Sequence, residues 1–194
     1  FITDNKLSDK PIIAILPGSR KQELKMMLPE MLQLIDKYKE YQFVIAGAPS
    51  QDFNFYKTFI KNKNISFVSN KTYDLLSLSV AALVTSGTAT LETAIFKIPQ
   101  VVCYKGSWLS YQIGKRLVNL KYISLVNLIL DREVVTELIQ SEFNKKRVSQ
   151  ELTKILDEHH RSNLFSNYYD FEDRLGGIGA SEKTAKIIIE ELKK

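Results

Sequence analysis

Short continuous apolar segments alternate with amphipathic ones along the first hundred residues. The apolar segments predict strands buried on both faces, and the amphipathic segments predict helices. The predicted strands are 11–16, 42–46, 65–68, 81–85 and 100–104, and the predicted helices are 52–61, 73–78 and 88–96, with a helical stretch after residue 20 that Pro29 interrupts. This alternation with short connections predicts a Rossmann-like α/β domain, a parallel sheet with helices on both faces.

The pattern becomes mostly helical after residue 108, apart from one short extended segment predicted at 122–126. The predicted helices are 108–119, 132–140, 146–159, 161–174 and 181–193. Gly176-Gly177-Ile178-Gly179 is the clearest flexible joint. We therefore expect three parts: a linker remnant at 1–10, the domain at 11–175, and a joint with a final C-terminal helix at 176–194.

Composition narrows the function classes without choosing one. The chain has 194 residues, of which 44% are hydrophobic and 25% charged, as in globular domains rather than disordered or fibrous proteins. Its formal net charge of +5 suits a nucleotide, a nucleic acid or an acidic membrane surface. The chain begins with Phe1 rather than Met, so we expect a piece of a longer protein.

The cysteine and histidine content offers no obvious catalytic centre. Cys103 stands in an apolar segment, which predicts a buried strand thiol and fits a reducing cytosol. His159 and His160 are adjacent in a polar helical stretch, so their side chains point about 100° apart and are expected to face solvent. Because the sequence has no cluster of metal-ligand residues, we expect no metal and no cofactor.

The turn at 16–20 (LPGSR) follows the first predicted strand and precedes a helix. Gly18 lets the backbone approach a ligand closely, and Ser19 is expected to cap the helix in a capping box with Gln22. A helix start offers N–H groups to an anion, and Arg20 adds a guanidinium suited to phosphate. The turn therefore predicts a phosphate site, although a capped turn with a solvated arginine fits the same residues.

A second turn, Ser86-Gly87-Thr88, opens the helix after the fourth predicted strand, and its small polar residues also form an anion cradle. Glu92 lies one helical turn beyond Thr88, where a carboxylate can accept hydrogen bonds from a sugar diol. With Thr88 as N-cap the capping-box position is Leu91, so a capping box does not account for Glu92. The alternative to a sugar-binding role is a carboxylate that the helix dipole favours. Both turns are expected at one sheet edge.

The segment 108–122 mixes aromatic, aliphatic and basic residues (WLSYQIGKRLVNLKY). Such a segment can contact a lipid surface. A helix that packs its apolar face on the sheet is the alternative, and it is the one we favour.

Three motifs in order resemble the lipid-A-disaccharide synthase family: LPGSR at 16–20, SGTATLE at 86–92 and GKRLVNLKYISLVNLI at 114–129. That family comprises inverting glycosyltransferases of the GT-B fold in the outer-membrane lipid pathway of Gram-negative bacteria. The resemblance runs from about residue 10 to the end and corresponds to the carboxyl-terminal half of the enzyme. It implies a half that holds the nucleotide-sugar donor, whereas the other half supplies the acceptor site and the catalytic base.

The resemblance assigns eight residues to donor binding. They are Gly18, Ser19, Arg20, Ser86, Gly87, Thr88, Glu92 and Asn127. The first three are expected to contact the UDP diphosphate, where Arg20 can stabilise the leaving group, and the next three are expected beside it. Glu92 is expected to hold the uridine ribose. Asn127, which follows Val126 where the family more commonly has proline, is expected near the donor across the cleft.

The implied reaction transfers diacylglucosamine from UDP-2,3-diacylglucosamine to 2,3-diacylglucosamine 1-phosphate, giving the β-1,6-linked lipid A disaccharide 1-phosphate and UDP. The expected partners are this donor, the lipid acceptor, an N-terminal domain that the last helix contacts, and the cytoplasmic face of the inner membrane, but no nucleic acid. By itself this half is expected to turn over little. The alternatives are another GT-B-fold UDP-sugar enzyme, such as an epimerase or a peptidoglycan glycosyltransferase, and a non-catalytic nucleotide- or membrane-binding module.

Overall fold

A computed structural model describes residues 1–60, 64–107, 121–177 and 179–193. Its strands are β1 (Ile12–Leu16), β2 (Gln42–Gly47), β3 (Ser66–Ser69), β4 (Ser79–Thr85), β5 (Gln100–Tyr104) and β6 (Glu137–Ile139). They form one sheet in the order β3-β2-β1-β4-β5-β6, and every neighbouring pair is parallel. This order is that of doubly wound dinucleotide-binding folds, which confirms the predicted Rossmann-like class.

Helices connect the strands and continue after them. They are α1 (Lys21–Met31), a 3₁₀ segment (Leu32–Lys37), α2 (Phe53–Ile60), α3 (Thr72–Ser77), α4 (Ala89–Ile95), α5 (Leu125–Leu130), α6 (Lys145–Leu156), α7 (Glu158–Leu175) and α8 (Ala180–Leu192). Within the ranges that the structure describes, no helix has the length and apolar character needed to span a bilayer. The helix predicted at 108–119 lies outside the described residues, as does most of the segment 108–122.

Side chains of β1 alternate between two cores, one on each face of the sheet. Ile13 and Ile15 belong to the core that includes residues of α1 and α6. Ile12, Ala14 and Leu16 belong to the opposite core, which includes residues of α3. Because both faces are covered, all five positions are apolar, and this is why β1 appears in the sequence as a continuous apolar run.

The interruption predicted at Pro29 is wrong. α1 continues past Pro29 to Met31 and passes directly into the 3₁₀ segment. Pro29 is exposed, so its ring faces solvent, while Leu24, Leu28 and neighbouring apolar side chains hold the helix against the sheet. The missing N–H of the proline costs one helical hydrogen bond, which this packing outweighs.

The segment between residues 121 and 140 also differs from the prediction. The stretch expected to be extended at 122–126 instead leads irregularly into α5, which begins at Leu125, and the region expected to be helical at 132–140 contains the strand β6. Ser124 is the N-cap of α5, since its hydroxyl accepts a hydrogen bond from the Asn127 N–H at 3.3 Å. The later helices, α6 to α8, agree with the predictions to within a few residues.

Both ends of the chain have been predicted to lie outside the central domain. Residues 2–6 form a turn, and Leu7 is buried in the core next to α3. At the other end, Gly176 caps α7 in a left-handed conformation, and α8 buries none of its described side chains. The division at 11, 175 and 176 stays a prediction.

The other single-residue expectations concern Cys103 and the histidines. Cys103 is fully buried on β5, and burial raises the pKa of its thiol far above the ordinary value. This confirms the buried strand thiol. His159 is exposed on α7, as expected, whereas the side chain of His160 lies outside the described part of the chain.

Candidate functional site

The site lies at the topological switch point of the sheet, between β1 and β4, where the order in which strands are added changes sides. In open parallel sheets this is where a crevice forms beyond the carboxyl ends of the strands. An open cavity of about 850 Å³ lies there, lined by the turns that follow β1, β2, β3 and β4. Its size is in the range of small-molecule sites.

Seven of the eight residues assigned from the sequence line this cavity. They are Gly18, Ser19, Arg20, Ser86, Gly87, Thr88 and Glu92. The structure therefore brings the two predicted turns together at one edge. Asn127 is not among the lining residues.

The start of α1 differs in one respect from the prediction. Arg20, rather than Ser19, is the N-cap, and its N–H donates to the Glu23 carboxylate at 3.4 Å. The capping box predicted for Ser19 and Gln22 is therefore wrong by one residue, since the observed pair is Arg20 and Glu23. The first helical bond runs from the Leu24 N–H to the Arg20 carbonyl at 3.0 Å, which leaves the N–H groups of residues 21–23 without an intrahelical acceptor.

Gly18 makes room for a side chain of its own protein. Its φ of +97° favours glycine, and a Cβ there would lie 2.7 Å from Glu23 Oε2. Glu23 Oε1 also accepts from Arg20 Nη1 at 3.1 Å. The carboxylate of Glu23 thus fills the space beside Gly18 that the sequence had suggested for a ligand.

Ser86 uses both of its donors inside the fold. Its N–H donates to the Cys103 carbonyl at 3.1 Å, and its hydroxyl donates to the Ile123 carbonyl at 2.8 Å. The residue therefore fastens the turn before α5 to the cavity wall. Beside it, the space around Gly87 is open, with nothing within 4 Å of where a Cβ would stand.

Thr88 is the N-cap of α4, as predicted, although its side chain makes no capping hydrogen bond. Glu92, one turn further on, accepts a hydrogen bond from the Tyr73 hydroxyl at 3.3 Å. The Tyr73 ring also contacts Phe96, with ring centroids 5.5 Å apart. The Glu92 charge first, and the hydrogen bond second, raise the pKa of the Tyr73 hydroxyl above its ordinary value.

Asn127 is fully buried, and the fold itself uses all four hydrogen-bonding positions of its amide. Nδ2 donates to the Val135 carbonyl and to Glu137, each at 2.8 Å, and Oδ1 accepts from the N–H groups of Val134 and Val135 at 2.8 and 3.0 Å. No hydrogen-bonding position is left for a donor sugar. Its assigned contact with a donor stays a prediction that this arrangement does not support.

Glu137 is the centre of the network to which Asn127 belongs. Besides Asn127, its carboxylate accepts from the N–H groups of Ile123 and Ser124 at 2.8 and 2.9 Å, and from the Ser124 hydroxyl at 2.7 Å. Because the Ile123 carbonyl accepts from Ser86, this network reaches the cavity wall. β6 thereby holds one side of the site in place.

Sequence reasoning missed three residues that shape the site. Glu23 was detectable, because an acid three residues after Arg20 completes a cap once the frame is correct. Tyr73 carries no local signal, since only the tertiary fold brings it to Glu92. Glu137 was hidden by the helix predicted around it.

Solved structures with a similar fold are glycosyltransferases and a nucleotide-bound protein. Spinosyn rhamnosyltransferase SpnG aligns with a TM-score of 0.64 at 10% identity, covering 93% of this chain and 45% of that one. The S. aureus MnaA–UDP co-structure aligns with a TM-score of 0.55 at 16% identity, covering 86% and 41%. At such low identity these likenesses show the fold alone.

Sequence comparison is more specific. The lipid-A-disaccharide synthase of Syntrophus aciditrophicus (strain SB) is 36% identical over 194 residues, covering 96% of this chain and 51% of that protein. The chain thus spans about half the length of the curated relatives it matches. A family model described as lipid-A-disaccharide synthetase matches residues 3–187. Since that match covers nearly the whole chain, the chain belongs to the lipid-A-disaccharide synthase family.

Proposed function

We propose that the chain is the donor-binding half of a glycosyltransferase that makes lipid A disaccharide 1-phosphate. The donor is UDP-2,3-diacylglucosamine, the acceptor is 2,3-diacylglucosamine 1-phosphate, and UDP is released. The observation that carries the proposal is the meeting of the two predicted turns in one cavity at the switch point between β1 and β4. Family membership favours this reaction over the other UDP-sugar enzymes of the same fold.

The chemistry of the cavity agrees with a nucleoside diphosphate ligand. The N–H groups of residues 21–23 and the Arg20 guanidinium favour negative charge at the start of α1. Negative charge grows on the diphosphate as the sugar departs, so donors already in place stabilise the transition state more than the ground state. Glu92, at the α4 end of the cavity, is suited to the ribose hydroxyls.

The remaining steps belong to partners of this chain. We propose that a further domain supplies the acceptor site and the base that takes the proton from the acceptor hydroxyl. We also propose that α8 contacts that domain, because Ile187, Ile188, Ile189 and Leu192 are exposed on it. Peripheral contact with the cytoplasmic face of the inner membrane is proposed from the family resemblance and the net charge of +5.

Calorimetric titration of the 194-residue chain with UDP tests the donor role. Arg20→Ala should raise the Kd for UDP about tenfold or more, since a charge-assisted hydrogen bond contributes about 1.5–3 kcal/mol. Lys25→Ala is the matched control, because Lys25 is an exposed cation on the same helix and does not line the cavity. Its Kd should equal that of the unaltered chain.

Two results would count against the proposal. An Arg20→Ala chain that remains folded and binds UDP as well as the unaltered chain removes the phosphate role. Binding to anionic vesicles by an unaltered chain that does not bind UDP favours the membrane-binding module instead.

A further inference from the structure

Glu23 holds Arg20 at two points at the edge of the cavity. Its carboxylate accepts from the Arg20 backbone N–H at 3.4 Å and from the guanidinium at 3.1 Å. The Glu23 side chain is 29% exposed, whereas that of Arg20 is 83% exposed. The guanidinium therefore has one fixed contact, on an exposed side chain of a residue that lines the cavity.

We propose that Glu23 is a positioning residue that aims the Arg20 guanidinium at the diphosphate of the donor. The inference rests on the proposed function, and it gives Glu23, which lies outside the LPGSR turn, a role beyond capping α1. A guanidinium has five N–H donors, and the bond to Glu23 uses one, at Nη1. Donors on the other nitrogens are left for a phosphate.

The physical gain is preorganisation. A free arginine side chain loses rotamer entropy when a ligand fixes it, and the contact with Glu23 meets part of this cost before the ligand arrives. Gly18 contributes because the absence of a Cβ leaves room for the Glu23 carboxylate. Gly18, Arg20 and Glu23 thus act as one unit at the start of α1.

Electrostatic repulsion by Glu23 acts on UDP affinity in the direction opposite to preorganisation, so a Glu23 variant can distinguish the two effects. The Glu23 carboxylate repels a diphosphate, so if repulsion exceeds preorganisation its neutralisation would tighten UDP binding. Glu23→Gln separates the two effects. The glutamine oxygen can still accept the Arg20 N–H in a capping box, so α1 keeps its start, while the ion pair with the guanidinium is lost.

The expected result is a Kd for UDP about three- to tenfold higher in Glu23→Gln, with the affinity for uridine, measured by NMR titration, unchanged. In an Arg20→Ala background the same substitution should cause no further loss of UDP affinity, because the preorganisation is already gone and only the repulsion is left to relieve. Glu30→Gln is the matched control, because Glu30 is on the same helix, is ion-paired to Lys105 at 2.9 Å and is 24% exposed, yet does not line the cavity. Its UDP affinity should not change.

Several outcomes overturn the inference while leaving the proposed function intact. They are an unchanged or lower Kd for UDP in folded Glu23→Gln, an equal loss of uridine affinity, or the same loss in the Arg20→Ala background. If Glu23→Gln does not fold, Glu23→Asp gives the test, since it keeps the charge but withdraws it from the guanidinium, and it should also weaken UDP binding. Absence of UDP binding by the unaltered chain instead overturns the proposed function itself.

Discussion

At the start of α1 the exposed Arg20 lines the cavity, whereas before α4 both donors of Ser86 bind within the fold. The Arg20 side chain is 83% exposed, and its guanidinium has one fixed contact, with Glu23. Ser86 gives its N–H to Cys103 and its hydroxyl to Ile123. In the proposed function the side-chain donors of the first turn are therefore left for a ligand, whereas those of Ser86 in the second turn maintain the shape of the site.

The acidic residues near the starts of the two helices, Glu23 on α1 and Glu92 on α4, also differ in whether the fold balances their charge. Glu23 is ion-paired with a cation, so its charge is largely balanced. Glu92 has a neutral partner, the Tyr73 hydroxyl, and within the described residues it forms no ion pair. An acid whose charge is not balanced can still accept hydrogen bonds from a ligand, which suits Glu92 to ribose. In the proposed function the two turns, although similar in composition, thus have different roles.

The largest effect is expected from removing the support behind the second turn. Glu137→Ala deletes the acceptor of four hydrogen bonds, and the buried donors left without a partner should lower the free energy of unfolding by about 3 kcal/mol or more. Urea denaturation followed by circular dichroism measures this.

Glu142→Ala is the control for that experiment. Glu142 is 61% exposed and pairs with Arg147 on the surface, so its loss should cost about 0–1 kcal/mol. Equal losses in the two variants would mean that Glu137 does not support the turn.

An intermediate effect is expected from Ser86→Ala. Loss of the hydroxyl leaves the Ile123 carbonyl without this partner and should destabilise the chain by about 1 kcal/mol. The Kd for UDP should stay within about twofold of the unaltered value, because the hydroxyl donates into the fold rather than to the ligand. A loss of UDP affinity as large as that of Arg20→Ala would erase the distinction between the turns.

The smallest effect is expected from changing Glu92, and it is a change in the pKa of Tyr73. Glu92→Gln should lower the pKa of Tyr73 toward its ordinary value of about 10, since the carboxylate charge is the main cause of its elevation. NMR titration of the tyrosine ring carbons follows this, and Tyr73→Phe assigns the signal. Because the folded chain retains this proton more strongly than the unfolded chain, the stabilisation is present below about pH 10 and is lost as pH rises further. An unchanged Tyr73 pKa would contradict the contact.

The strands β1, β2, β4 and β5 were predictable because nearly all of their residues are buried. A strand such as β1 buries both faces, so its five residues must all be apolar, and that run is visible in the sequence. The position of the cavity followed as well, since the turns after β1 and β4 must meet once the strand order is fixed.

The region of α5 and β6 could not be predicted in the same way. β6 has only three residues and lies at the edge of the sheet. Val135 and Leu138 are both buried and stand three residues apart, which imitates one face of a helix. The strand forms by pairing with β5, and Glu137 joins it to the start of α5 through Asn127. Neither contact leaves a periodic trace in the sequence.

The fit between Gly18 and Glu23 links two positions that are five residues apart in the chain. A Cβ at position 18 would lie 2.7 Å from the Glu23 carboxylate, and the φ of +97° strains any residue other than glycine, so a replacement there disturbs both the turn and the position of Glu23. Anyone who redesigns this turn for another phosphorylated ligand must therefore choose the residues at positions 18 and 23 together.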